Sequence, residues 1–209
     1  MVGLHWNGVG KQISGTEIIR PWSATWSPEA RVAVLGANGS GKSTLLQAIS
    51  GALLINEGSI GYELNGQPIT DEKVHRHLSF CAPYLELIEE MTATELLRFH
   101  REFKPLLPGI DIENALELAG LAPAAQKQIR YFSSGMKQRL KLIQCFLSDA
   151  PVLLLDEPCT NLDKEGIALY RSLLEQYSTK RLVIISSNDP VEYAHCTAQI
   201  SISDYKLSK

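Results

Sequence analysis

The sequence lacks an apolar stretch that could span a membrane, and it lacks the pattern of an export signal. No run approaches 18 apolar residues, and the opening MVGLHWNGVGK has no basic start followed by an apolar core. Basic residues are not in excess either, since the net charge is −3 and the pI about 6.0. This charge balance does not favour nucleic acid as a partner. We therefore predict a cytoplasmic chain that binds no nucleic acid.

Cysteine is scarce, and the histidines are mostly isolated. The four cysteines are widely separated and form no CxxC pair: Cys81, Cys145, Cys159 and Cys196. This spacing predicts reduced thiols in the core rather than disulfides. His75 and His77 are close, and at a spacing of two they would share one face of a strand. Two histidines are too few ligands by themselves, so the pair does not predict a metal site.

The order of patterns along the 209 residues predicts an α/β fold. Residues 1–35 contain short alternating stretches typical of β-structure, and residues 84–147 are mostly helical. The apolar runs VLLL and LVIIS follow, with the helical stretch GIALYRSLLEQY between them. Repeated βα units predict a mainly parallel core sheet flanked by helices. We expect a single domain over 1–209, with an N-terminal antiparallel β-subdomain and an inserted helical subdomain at about 84–147.

A glycine-rich loop, GANGSGKST, follows the buried strand RVAVL and precedes a helix. Its spacing fits GxxxxGK[ST], in which backbone N–H groups and a helix N-terminus surround phosphate. Lys42 would reach the β- and γ-phosphates, and the Ser43 hydroxyl would join the Mg²⁺ shell. The predicted phosphate-binding residues are Gly36, Ala37, Asn38, Gly39, Ser40, Gly41, Lys42, Ser43 and Thr44. The alternative is a glycine turn that only starts a helix.

Two carboxylates end the apolar strand VLLLDEP. Parallel sheets gather ligands at the carboxyl ends of their strands, so Asp156 and Glu157 should lie beside the phosphate loop. Asp156 would hold Mg²⁺ through water, and Glu157 would orient or deprotonate the attacking water. The alternative makes Glu157 a helix-capping acid, with Pro158 in the first helical turn.

These motifs together resemble the nucleotide-binding subunit of an ATP-binding cassette (ABC) ATPase over nearly the whole length. FSSGMKQRL is similar to the LSGGQ signature: Ser133 and Gly135 match it, whereas Phe132, Ser134 and Met136 replace Leu, Gly and Gln. TNLD resembles the family's D-loop, with Asp163 in the acidic position. The resemblance implies that two copies dimerise head to tail, so that Ser133 and Gly135 of one contact the γ-phosphate held by the other.

Three positions depart from the family pattern. Ile13 stands where an aromatic residue stacks on adenine; Trp6, Trp22 or Trp26 could replace it, although core packing suits each better. No glutamine opens the helical region, where Pro83 or Tyr84 falls instead. Asn188 takes the place of the switch histidine, and its amide can donate to γ-phosphate but cannot become cationic. The alternative for Asn188 is a helix cap.

The resemblance implies ATP and Mg²⁺ as cofactors and ATP hydrolysis as the activity. It also implies a transmembrane permease subunit and a second copy of the chain as partners, with the chain peripheral at the inner face of the membrane. A compact chain of this kind is similar to haem-exporter ATPases. The alternative is an ABC-type ATPase or nucleotide-gated switch without a membrane partner.

Overall fold

The structure is a computed structural model that describes residues 2–13 and 16–202. Within β1 and β2, side chains are described for residues 4, 5, 7, 11 and 23–26. The chain divides into two compact units. The first contains residues up to 80, 151–157 and those from 180 onwards, and the second contains 81–150 and 158–179. The predicted single-domain assignment, with a helical subdomain at about 84–147, stays a prediction.

An antiparallel sheet in the first unit is built from the early strands, in the order β2-β1-β4-β5. The segment GSIGYELNGQPI forms a hairpin at the edge of this sheet, in which Leu64 pairs with Gln67. Its turn is made by Asn65 and Gly66, both at positive φ. The strands are β1 Val2–Ile13, β2 Thr16–Trp26, β4 Glu57–Leu64 and β5 Gln67–Ile69.

A second sheet in the same unit has the order β6-β7-β8-β3-β9. The pairs β7–β8, β8–β3 and β3–β9 are parallel, and β7 and β8 are buried along their whole length. Such continuous apolar strands are typical of a parallel sheet covered on both faces. The strands are β3 Arg31–Leu35, β6 Leu78–Cys81, β7 Val152–Asp156, β8 Leu182–Ser186 and β9 Ala198–Ser201.

Three helices belong to the first unit: α1 Lys42–Ile49, α2 Asp71–His77 and α7 Pro190–Tyr193. Leu45, Leu46 and Ile49 of α1 are fully buried and pack in one apolar core with residues of both sheets. Helix α1 ends before Gly51, whose φ of 76° lies in the left-handed region. This core fixes α1 and the loop that precedes it.

The second unit is helical. Phe146 and Tyr170 form an edge-to-face pair at 6.2 Å between their ring centroids, which joins α5 to α6. Met136, Leu140, Ile143 and Leu147 recur at helical spacing; the last three are buried, and Met136 is partly buried. The helices are α3 Ala93–Phe103, α4 Ile112–Leu118, α5 Ser134–Phe146 and α6 Lys164–Tyr177.

One local prediction is wrong: His75 and His77 lie in α2, not on a strand. Asp71 and Glu72 occupy its first turn and Arg76 its last, so the side-chain charges complement the helix dipole. The strand β6 begins only at Leu78. Cys81 and Cys145 are buried thiols as predicted, whereas Cys159 and Cys196 are only partly buried, so the predicted core position is wrong for these two.

Candidate functional site

The loop between β3 and α1 depends on glycines at its two ends. Gly36 has a φ of 154°, and a Cβ there would lie 2.6 Å from Ser40 Oγ. Gly41 has a φ of 103° and directly precedes the first helical residue. Because L side chains rarely adopt this backbone, both positions require glycine. The glycines predicted from spacing are therefore the ones that the loop geometry needs.

Lys42 folds back over the loop. Its side chain is 4% exposed, and Nζ donates to the carbonyl of Gly36 at 2.7 Å and to that of Ala37 at 3.3 Å. Carbonyl oxygens supply only partial negative charge to the ammonium group. A phosphate oxygen carrying a full charge is therefore a stronger acceptor for Lys42 than these carbonyls are.

The N-terminus of α1 differs from those of the four helices of the second unit. Side-chain oxygens cap α3, α4, α5 and α6, from Thr92, Asp111, Ser133 and Asp163 respectively. Helix α1 follows Gly41 and has neither a side-chain cap nor an acidic residue in its first turn, among the described residues. Its first N–H groups and its positive dipole end thus suit an anion from outside the chain.

Glu157 lies beside this loop. A cavity of about 230 Å³ is lined by residues 38–44 and Glu157. The backbone of Glu157 is left-handed, with a φ of 42°, and its N–H donates to the carbonyl of Ser186 at 2.8 Å. The capping alternative for Glu157 is wrong, because the next helix, α6, begins at Lys164 with Asp163 as its cap.

Asp156 ends β7 and is 1% exposed. Both carboxylate oxygens are buried and accept no hydrogen bond from the described part of the chain. A buried carboxylate without partners is costly unless a cation or ordered water satisfies it. No group of three His, Cys, Asp or Glu side chains that could hold a metal occurs among residues 2–13 and 16–202. Asp156 therefore suits a hydrated ion such as Mg²⁺, which keeps several of its waters.

Asn188 reaches the phosphate loop directly. Its Nδ2 donates to Asn38 Oδ1 at 2.8 Å. The capping alternative for Asn188 is wrong, since Asp189 caps α7 by accepting from the Val191 N–H at 2.9 Å. The structure thus places Asn188 at the loop whose phosphate it was predicted to contact, and it supplies a partner, Asn38, that the sequence did not reveal.

The signature and D-loop residues belong to the second unit. Ser133 is exposed and caps α5, since its hydroxyl accepts from the Met136 N–H at 3.2 Å. Gly135 lies close to Asn161, because a Cβ there would be 3.2 Å from the Asn161 carbonyl. Asp163 caps α6 and accepts from Arg139 Nη2 at 2.7 Å. This structural role of Asp163 was missed, although an Asp before a helical pattern is a capping signal.

The predicted adenine contacts lie mostly outside the described side chains. Ile13 is in β1, but the side chains of Ile13, Trp6 and Trp22 are not among those described. Trp26 is buried in the core of the first unit, as the packing interpretation predicted. Trp26 is therefore not available to stack on a nucleotide base.

The ABC transporter family matches residues 19–160, and this range contains the loop, the signature segment and both carboxylates. The chain belongs to this family. It is 37% identical over 161 residues to the cytochrome c biogenesis ATP-binding export protein CcmA of Xylella fastidiosa (strain 9a5c), covering 77% of this chain and 72% of that protein. The corresponding protein of Nitrosococcus oceani is 37% identical over 172 residues, covering 80% and 78%.

The fold agrees with solved structures of the same family. The ATP-binding cassette MJ0796, in a dimeric post-hydrolysis state with ADP and Pi, superposes with a TM-score of 0.82 at 20% identity. That match covers 100% of this chain and 97% of the other. As an ABC family member the chain is an ATPase that binds nucleotide, which confirms the predicted activity and fold class. Within residues 2–13 and 16–202, no helix has the length and apolarity that a membrane crossing requires.

Proposed function

We propose that the chain hydrolyses Mg-ATP as one half of a head-to-tail pair, and that pair closure and opening drive a transmembrane permease at the inner face of the membrane. The observation that carries this proposal is the loop cavity of residues 38–44, because Glu157 lines the same space. A phosphate group seated there would meet Lys42, the uncapped start of α1 and a carboxylate.

Each residue of this site has a role in the proposed reaction. Lys42 exchanges its two carbonyl partners for β- and γ-phosphate oxygens, and the start of α1 donates backbone N–H groups. Asp156 and Ser43 would hold Mg²⁺, which when bound offsets negative charge on the triphosphate. Glu157 orients the attacking water and accepts its proton. Asn188 donates its amide N–H to the γ-phosphate.

Pairing of two copies would complete the site. Ser133 and Gly135 stand at the exposed start of α5, whose dipole favours an anion. In a head-to-tail pair these residues contact the γ-phosphate bound by the other copy, so that hydrolysis weakens the pair. The dimeric structure of MJ0796 supports this arrangement.

A groove in the second unit suits the membrane partner. Its volume is about 640 Å³, and it is lined by Leu85, Leu87, Ile88 and the side chains of Lys137 and Lys141. Leu85 and Ile88 are exposed, and Lys137 pairs with Glu89 at its edge. Exposed apolar side chains ringed by charge are typical of a protein-binding surface. Two relatives are ATP-binding export proteins, which supports a permease as the occupant.

The pairing is tested with Glu157→Gln. This variant should retain ATP, hydrolyse it about 10²- to 10⁴-fold more slowly, and elute with ATP at twice the chain mass of 23.1 kDa. Size-exclusion chromatography with light scattering measures the mass. The double variant with Lys42→Ala is the control, which should remain monomeric. A Glu157→Gln chain that stays monomeric at high protein and ATP concentration contradicts the proposed pairing.

The membrane partner is tested by affinity purification from detergent extracts. Ile88→Glu in the groove should abolish copurification of a polytopic membrane protein and leave the basal ATPase rate of the isolated chain unchanged. Phe103→Glu is the matched control, since Phe103 is also exposed in the second unit but does not line the groove. If the wild-type chain brings down no membrane protein, an ABC-type switch without a permease is favoured instead.

A further inference from the structure

Two buried polar side chains stand next to each other at the ends of β7 and β8. Asp156 and Ser186 are register partners in this parallel pair, and Ser186 is 0% exposed. Register partners on neighbouring parallel strands present their side chains to the same face of the sheet. The strand ends are also joined by the bond from the Glu157 N–H to the Ser186 carbonyl. The two side chains thus share one buried space beside the candidate site.

Neither side chain is satisfied within the described residues. The Ser186 hydroxyl and both Asp156 oxygens are buried and have no hydrogen-bond partner there. They are also not bonded to each other, although a hydroxyl is a natural donor to a carboxylate. Leaving a buried polar group unsatisfied costs about 1–3 kcal/mol, and more for a charged group. The chain keeps two such groups in register, which points to a shared third partner.

Other buried hydroxyl groups of the described residues lack partners too, among them that of Ser40 in the phosphate loop. Ser79 and Tyr62 also have buried hydroxyl groups without partners in the described region. Ser79 lies on the edge strand β6, and Tyr62 lies on β4 of the other sheet. The Ser186 hydroxyl has a buried carboxylate, that of Asp156, as its register partner. A water with two hydrogens suits this pair, because each side chain offers it an oxygen acceptor.

We propose that Ser186 is a positioning residue that, together with Asp156, holds one water of the hydrated Mg²⁺ that accompanies the nucleotide. This inference rests on the proposed function, which requires Mg²⁺ at Asp156. Mg²⁺ sheds its waters reluctantly and is usually held in proteins partly through them. Asp156 and Ser186 each accept one hydrogen of that water. Ser186 thereby fixes the water that links the ion to Asp156, and Ser186 itself contacts neither the ion nor the phosphate.

The test compares nucleotide affinity with and without Mg²⁺. Fluorescence anisotropy of a labelled, non-hydrolysable ATP analogue is measured in Mg²⁺ and in EDTA. Ser186→Ala should weaken binding about two- to tenfold in Mg²⁺, as expected for one net hydrogen bond, and leave binding in EDTA unchanged. Ser186→Thr, which keeps the hydroxyl, should restore the effect of Mg²⁺. Ser79→Ala is the matched control, because it removes a buried hydroxyl from the same sheet, and it should match wild type in both buffers.

The outcomes separate this inference from the proposed function. If wild type binds the analogue more tightly with Mg²⁺ and Ser186→Ala responds equally, the role of Ser186 is refuted. Equal weakening in Mg²⁺ and EDTA also refutes it, because a general structural defect would act on both. If wild type binds no analogue, or binds it without any effect of Mg²⁺, the proposed function itself fails. Thermal unfolding without ligand checks folding, and Ser186→Ala should be at least as stable as wild type, since it removes an unsatisfied group.

Discussion

Ser133 has two assigned roles, one visible in the structure and one proposed, and a substitution can separate them. Its hydroxyl caps α5 by accepting from the Met136 N–H at 3.2 Å. The same exposed group is proposed to contact the γ-phosphate bound by the second copy. Ser133→Ala removes both interactions, so stability and ATP-dependent pairing must be measured separately.

The capping role has a matched control in Thr92, which caps α3 in the same unit. The Thr92 hydroxyl accepts from the Glu95 N–H at 3.2 Å, and Glu95 returns a bond to the Thr92 N–H at 2.8 Å. Replacing either cap with alanine should lower the free energy of unfolding by about 1 kcal/mol. For a chain of this length that corresponds to roughly 2–4 °C in Tm. The two variants should therefore be similarly destabilised.

Their effects on pairing should differ. Loss of a hydrogen bond to a charged phosphate costs about 1.5–3 kcal/mol, and a symmetric pair contains two such bonds. Ser133→Ala in a Glu157→Gln background should thus weaken the ATP-dependent pair by about 3–6 kcal/mol, or roughly 10²- to 10⁴-fold. Thr92→Ala should leave the pair unchanged. Sedimentation velocity over a concentration series measures pairing, and urea titration measures stability. Equal pairing by the two variants would falsify the phosphate role of Ser133 and leave it a cap.

Three further outcomes are expected. Lys42→Ala should lose about 1.5–3 kcal/mol of ATP affinity by calorimetry, because a charge-assisted contact disappears; an unchanged Kd rejects the loop assignment. Asn188→His should raise basal ATPase turnover and make turnover depend on pH near 6.5. Asn188→Ala should hydrolyse ATP more slowly than wild type. If the alanine variant hydrolyses ATP at the wild-type rate, Asn188 is not at the γ-phosphate. Burial lowers the pKa of His100 to about 4, below its unfolded value of 6.5. Because the folded protein holds His100 neutral, this residue contributes to the free energy of unfolding. The contribution is complete above pH 6.5 and is lost as pH falls toward 4. Between pH 6.5 and 4 the urea midpoint of His100→Gln should therefore fall less steeply than that of wild type. Equal slopes for the two proteins would show that His100 does not cause the loss of stability in acid.

Local chemistry explains which parts of the site were predictable. The loop from Gly36 to Ser43 is defined by glycine spacing between a strand and a helix, and the structure shows that Gly36 and Gly41 have backbones that require glycine. Asp156 was predictable because an acidic residue directly follows four apolar residues of a buried strand. Both patterns depend on neighbours in the sequence.

Contacts between distant residues were not predictable in this way. Asn38 and Asn188 are 150 positions apart, and nothing in either segment identifies the other as its partner. The role of Asp163 depends in the same manner on Arg139, which lies 24 positions earlier. Ser186 looks like an ordinary strand residue in the sequence, and only the register of β7 and β8 places it opposite Asp156. Tertiary pairing, rather than local preference, decides these features.

The position of β3 in its sheet has a consequence for synthesis of the chain on the ribosome. Strand β3 carries the phosphate loop and lies between β8 and β9, which follow it by about 150 residues in the sequence. Until residues 182–201 have left the exit tunnel, β3 lacks both neighbouring strands, and its backbone N–H and C=O groups have no strand to pair with. Such late, non-local pairing slows folding and exposes the nascent chain to aggregation. The nucleotide loop is thus translated early, and the strands that support it are translated late. In the interval between them, chaperones would bind the unpaired strand β3.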